Sequence, residues 1–255
     1  MFQLSPFSII GRLAQKACPN YPDYVILIYL EAAMVYDFHT HTSLSDGALS
    51  PMELIRRALI NKYRAVALTD HASLGDLSRI IQETAEICAV ARSHWDILAI
   101  PGIELTHVPA PAIAEAARKA KELGAWIVVV HGETIIEPVE KGTNLAALRS
   151  PDVDILAHPG LITTEEAELA AANGIFLEVS ARKGHCLTNG HVTSLVQQVG
   201  AKLLLNSDAH SEEDLLTSSL ADLIGRGAGL DTAACHHMLT TNPQDFIKGL
   251  PRTAP

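Results

Sequence analysis

The chain has 255 residues, of which 48% are hydrophobic, 5% aromatic and 19% charged, and its formal net charge is −10 at pH 7. That length suits one large domain with its own core, and the acidic balance argues against passive attraction to long nucleic acids or anionic membranes. The four cysteines, Cys18, Cys88, Cys186 and Cys235, are scattered with no Cys-x-x-Cys spacing, which predicts reduced thiols in a cytoplasmic protein.

In chain order, residues 1–33 carry one apolar run, YVILIYL, flanked by Asp23 and Glu31. It is far shorter than the roughly 20 residues that span a bilayer, and no cleavage site follows it, so neither a membrane span nor a signal peptide is expected. The regular pattern begins at Met34, so two readings of 1–33 stand: an upstream extension with Met34 the functional start, or a poorly ordered or capping N-terminal arm. From there strands are predicted at VYDFH (35–39), AVALTDH (65–71), ILAIPGIEL (97–105) and AWIVVVHGE (125–133), then at DILAHPG (154–160), IFLEVSAR (175–182) and KLLLNSDAH (202–210). Between them lie helical patterns. One opens with Ser50 as N-cap and Pro51 at the first position, and others close on Gly124, Gly174 and Gly200, as helix ends commonly do. Strand–helix repetition with nearly continuous apolar strands predicts a parallel sheet covered by helices, and seven units favour a barrel closed on itself over an open sheet.

The polar residues fall in one place. His39 and His41, His71, Glu104, His131, His158, Asp208 and His210 all sit at or just after the C-terminal ends of predicted strands, the end that forms the active face of parallel barrels. In an extended segment residues i and i+2 share a face, so His39 and His41 point together while Thr40 points away. SDAH repeats that spacing with Asp208 and His210. Alone, each is an ordinary strand-end residue, and Asp46 in SDG is an ordinary turn residue. Together, six of the twelve histidines converge with two carboxylates, and burying so many polar groups without partners is costly. Metal coordination removes that cost. His94, His107, His191, His236 and His237 lie outside the set. The segment SARKGHCLTNGH brings Arg182, Lys183 and His185 to the same face, a basic loop suited to an anionic group, Arg to phosphate above all.

The motifs DFHTHTSLSDG, ALTDH, GIE, VVVHGE, LAHPG and NSDAH, in that order, resemble the PHP (polymerase and histidinol phosphatase) family from Met34 to about Phe246. The resemblance implies a distorted (β/α)7 TIM-like barrel, a single domain over 34–250, with three divalent metal ions (Zn, Mn or Fe). Carried over, His39, His41, Glu104 and Asp208 hold the first metal; Glu104 bridges to a second, also held by His131 and His158; Asp46, His71 and His210 hold the third. The expected activity is hydrolysis of a small phosphorylated substrate, histidinol phosphate by name, through a metal-activated hydroxide. Arg182 or Lys183 takes up phosphate charge, His185 is the candidate leaving-group acid and Asp70 orients a ligand. A nucleotide phosphodiesterase or 3′–5′ exonuclease is the alternative, and a non-catalytic metal-binding regulatory module the second.

Overall fold

A computed structural model describes residues 34–251; the expected 1–33 extension, Cys18 within it, lies outside the described residues. The expected strands form with shorter spans, β2 starting two residues early: β1 Val35–Asp37, β2 Tyr63–Leu68, β3 Leu98–Leu105, β4 Ile127–His131, β5 Ile155–Ala157, β6 Phe176–Ser180 and β7 Leu203–Asn206. Each pairs in parallel with the next. The ring closes between its ends through a parallel bridge of Thr40 with Ala209 and bonds from the His41 amide to the Ala209 carbonyl (2.8 Å) and from the Asp208 amide to the His39 carbonyl (2.9 Å). The result is a nearly closed seven-stranded barrel, one domain over the described residues.

The helices follow from amphipathic spacing. In α3 (Ile113–Glu122) the buried residues are Ile113, Ala116, Ala117 and Ala120, one stripe at i, i+3, i+4 and i+7. Around it run α1 (Pro51–Ile60) and α2 (Leu77–His94), then α5 (Thr164–Asn173) and α6 (Asn189–Val199). Thr163 and Glu166 form a reciprocal capping box at the start of α5, and Gly174 ends it at φ 71°, a conformation glycine adopts without Cβ strain. Ser50 precedes α1 in extended backbone, but its side chain makes no cap bond.

One helix went unpredicted, α4 (Thr143–Arg149). Its seven residues are too few for a periodic signal, and tertiary contacts supply what propensity does not: the Glu133 carboxylate accepts from the Gly142 and Asn144 amides. After β7 come three more helices, α7 (Ser218–Gly227), α8 (Thr232–His236) and α9 (Asn242–Gly249).

The apolar residues sort into two bodies. A large one lies between strands and helices, built on residues such as Ile55, Ile81, Ile103 and Leu156. A smaller one fills the barrel interior with Phe38, Ile100, Trp126, Phe176, Leu204 and Phe246. Cys88 is buried in the first, and that burial pushes its thiol up to about 12, an unreactive thiol.

Candidate metal centre at the barrel mouth

Glu104 and His131 lie at the C-terminal ends of β3 and β4, while the other expected ligands follow just beyond their strands. After β1 the chain stays extended. Thr40 turns outward, its hydroxyl donating to the Ala67 carbonyl at 2.6 Å, while His39 and His41 face inward, fully buried with ring centroids 5.0 Å apart. The SDG turn then folds back on His41 so tightly that a Cβ on Gly47 would strike the His41 carbonyl. That fold is held from below by Asp70, which accepts from the Thr42 amide (2.7 Å), the Thr42 hydroxyl (2.8 Å), the Ser45 amide (3.1 Å) and the Ser45 hydroxyl (2.7 Å). Asp70 thus acts on the turn that carries Asp46, rather than on a ligand side chain as expected. Two of the expected ligands, His158 (φ 27°) and Asp208 (φ 53°), occupy the left-handed region without being glycine, strain of a kind that collects at functional sites.

Glu104 stands at the centre. It is paired in register with His71, and its carboxylate lies 3.2 Å from His39 Nε2, 2.6 Å from His71 Nδ1, and 3.7 Å from both His41 Nε2 and His158 Nε2. Asp208 lies 3.1 Å from His41 Nε2 and 3.8 Å from His39 Nε2. Asp46 reaches toward His210 Nε2 at 3.3 Å and His71 Nε2 at 3.6 Å. Among the described residues four donor groups are thereby assembled: His39, His41 and Asp208; His41, Asp46, His71 and His210; His131, His158 and His185; and His39, His158 and Glu178. All nine expected ligands lie at this one mouth.

Several imidazoles are held in one tautomer. His39 Nδ1 meets the Glu178 carboxylate at 2.8 Å, His131 Nδ1 the Gly132 carbonyl at 3.2 Å, and His210 Nδ1 the Asp208 carbonyl at 2.9 Å. These oxygens only accept, so each Nδ1 carries a hydrogen and Nε2 is the ring atom turned inward, the one left to bind a cation. Burial and neighbouring imidazoles drive His41 and His158 well below the ordinary histidine range. Burial would lower His39 too, but the carboxylates of Glu104, Glu178 and Asp208 raise it well above that range. Glu104, which burial would raise, is held well below the carboxylate range by His39 and His71.

The donor set fits divalent metal. His39 Nε2, both ring nitrogens of His41, Glu104 Oε1 and His158 Nδ1 are buried without a hydrogen-bond partner. Orphans of this kind are rare and cost about 1–3 kcal/mol each. Imidazole lone pairs beside carboxylates are donors for Zn, Mn or Fe alike.

A cavity of about 410 Å³ opens over the centre. Arg182 lines it, its guanidinium donating to the Asp208 carbonyl at 3.2 Å; Lys183, its neighbour, is exposed and does not line it. His185 is buried at the wall, and burial pulls it below the usual range. Glu178, Glu137 and His107 were not anticipated. Glu178 had a signal, an acid in the apolar strand IFLEVS, where an unpaired carboxylate is costly. Glu137 and His107 sit in loops, and His107 reaches the cavity at a ring distance of 5.9 Å from His131.

Against known proteins, the sequence profile described as PHP domain matches residues 37–152. An uncharacterized protein of Methanocaldococcus jannaschii is 48% identical over 84% of this chain and 99% of its own length. The DNA polymerase/3′–5′ exonuclease PolX of Bacillus subtilis is 27% identical over 80% of this chain, which spans 39% of that longer protein. Among solved structures, histidinol phosphate phosphatase from Lactococcus lactis, complexed with zinc, L-histidinol and phosphate, superposes with a TM-score of 0.56 at 15% identity, covering 78% of this chain and 95% of that one. That likeness is one of fold. Among the described residues no helix is long and apolar enough to cross a membrane.

Proposed function

The chain belongs to the PHP domain family, and from that premise we propose that it is a metal-dependent phosphoesterase acting on a small phosphomonoester of the histidinol phosphate kind. The observation that carries this reading is the set of buried imidazole and carboxylate donors left without protein partners. His39, His41, Glu104 and Asp208 would hold one divalent cation, Glu104, His131 and His158 a second, and Asp46, His71 and His210 a third. Bound there, divalent cations supply a Lewis acid and an activated water at neutral pH.

The chain's own residues do the rest. Glu178, the Gly132 carbonyl and the Asp208 carbonyl fix imidazole tautomers, so the donors are oriented before any ligand arrives. Asp70 holds the turn that carries Asp46. Arg182, tied by the Asp208 carbonyl, places a guanidinium at the cavity wall, where it would bind phosphate oxygens through charge-assisted hydrogen bonds. The cavity, about 410 Å³, suits a metabolite, and a chain of net charge −10 offers little to an extended polyanion. The histidinol and phosphate bound by the lactococcal protein support the same substrate class.

A second reading, cleavage of nucleotide phosphodiesters or 3′ ends, is favoured by the similarity to PolX over most of this chain. One experiment separates the two. Metal-depleted protein is reloaded with Zn, Mn or Fe separately and assayed for hydrolysis of small phosphomonoesters, histidinol phosphate included, and of nucleotide diesters and oligonucleotides. Metal-dependent phosphate release from the monoesters is expected; turnover of diesters alone would select the second reading. Full metal loading with no hydrolysis of either class would leave a metal-binding module.

A further inference from the structure

We infer that His185 and Glu137 are two further donors for the cation held by Glu104, His131 and His158, so that this position is a three-histidine, two-carboxylate site. The inference rests on the metal-dependent reading of the same mouth and deepens it by adding two residues outside the nine strand-end positions.

Four observations converge on it. First, the ring nitrogens of His131, His158 and His185 that face one another all lie within 4.8 Å, and the three residues are 4%, 2% and 4% exposed. Second, the Glu137 carboxylate spans two of them, with Oε2 3.1 Å from His131 Nε2 and Oε1 3.4 Å from His185 Nε2. Zinc–nitrogen and zinc–oxygen bonds of about 2.0–2.1 Å put neighbouring donors on one metal roughly 3 Å apart, so these separations suit donors to a shared cation.

Third, the hydrogen of the His131 ring is already assigned elsewhere. His131 Nδ1 lies 3.2 Å from the Gly132 carbonyl, which only accepts, so the neutral ring turns an Nε2 lone pair toward a carboxylate that also only accepts. Two acceptors face to face are relieved by a cation between them. His185 Nδ1 meets the Thr134 hydroxyl, which can donate or accept, at 2.8 Å, so Nε2 is the atom turned toward Glu137.

Fourth, the two loops are built to meet. Gly184, at φ 95°, sits so close under Ile136 that an added Cβ would come within 2.5 Å of its Cδ1, and Glu133 ties the other loop back on itself through the Gly142 and Asn144 amides. An isolated surface ion pair needs none of this. The donors also differ in exposure. The imidazoles are buried, whereas the Glu137 side chain is 39% exposed at the cavity wall, which makes it the donor that an incoming anionic oxygen displaces.

The test is metal binding read without turnover. Full-length apo protein is titrated with Co(II) against a chromophoric chelator, and the visible spectrum is recorded for the wild type, His185→Ala, Glu137→Gln and Thr134→Val. In His185→Ala one bound equivalent should weaken by at least the roughly 10- to 100-fold typical of losing an outer-shell partner, with a changed ligand-field spectrum. Glu137→Gln should weaken the same equivalent less. Its spectrum should respond less to added inorganic phosphate, because the displaceable carboxylate is gone. Thr134→Val, which leaves His185 in place but unorients it, should shift the same equivalent in the same direction and serves if His185→Ala does not fold. Wild-type affinity and spectra in all three variants would overturn the inference and leave Glu137 a mere ion-pair partner, while metal-dependent phosphate release by the wild type would keep the phosphoesterase reading intact. A wild type that binds no metal would overturn both.

Discussion

Phe38 and His39 are consecutive in the chain and belong to opposite ends of the barrel interior. Phe38 joins the floor, where its ring meets Phe246 edge to face at 4.9 Å and Phe246 meets Phe176 at 5.1 Å. His39 joins the mouth, where Nε2 has no hydrogen-bond partner and the nearest groups are carboxylates. The floor is complete in itself: its rings are close-packed and demand nothing from outside. The mouth is not, because its buried donors are satisfied only when a cation or substrate joins them. Stability and function are therefore divided between layers a few residues apart. A change in the floor should be felt in folding, and a change in the mouth in metal and turnover.

The sharpest way to break that division is Glu104→Ala. The carboxylate touches four imidazoles, so its loss should lower kcat/KM by more than about 10³-fold, roughly 4 kcal/mol, and remove at least one equivalent of metal. Steady-state kinetics and elemental analysis on the same preparation check both. Phe246→Ala tests the other layer. Removing a buried aromatic ring should cost about 3–5 kcal/mol of unfolding free energy in denaturant titration, with metal content and kcat of the folded fraction unchanged. If kcat collapses while the fold persists, floor and mouth are coupled and the division fails.

Arg182→Ala sharpens the comparison inside the mouth, separating substrate contact from metal contact. Losing one hydrogen bond to an ionised group is worth about 1.5–3 kcal/mol, or roughly 10- to 150-fold in kcat/KM, with metal content intact. Lys183→Ala, whose exposed side chain does not line the cavity, should match the wild type in the same assay. The smallest effect belongs to the rim: Thr163→Ala removes the capping box of α5 and should cost about 1 kcal/mol of stability with no change in activity. A kinetic effect there would show that the outer helices reach the site.

The fold was legible because its signals are local. Apolar strands, glycine stops such as Gly174 and Gly200, and the i, i+3, i+4 stripe of α3 each lie within one short window. That the nine expected ligands would meet at one mouth was legible for a related reason: in a parallel barrel, the C-terminal ends of the strands share one face whatever the sequence distance between them. Where the reading stopped, the cause was tertiary. Helix α4 depends on Glu133 reaching over to the amides that begin it. That Asp70 acts through the turn carrying Asp46 was not legible, because its partners Thr42 and Ser45 are 28 and 25 residues away.

By itself the sequence determined which residue types could bind metal and which end of the barrel they occupy, since periodicity and strand direction set both. Only the tertiary structure decided which nitrogen of each imidazole faces inward, that Arg182 rather than Lys183 meets the cavity, and that Glu178 backs His39. It also carried His185 and Glu137 to His131 from two separate loops. Those outcomes depend on ångström-scale distances between segments up to 139 residues apart, as between His39 and Glu178. No one-dimensional pattern encodes such distances, because they emerge only when the barrel closes.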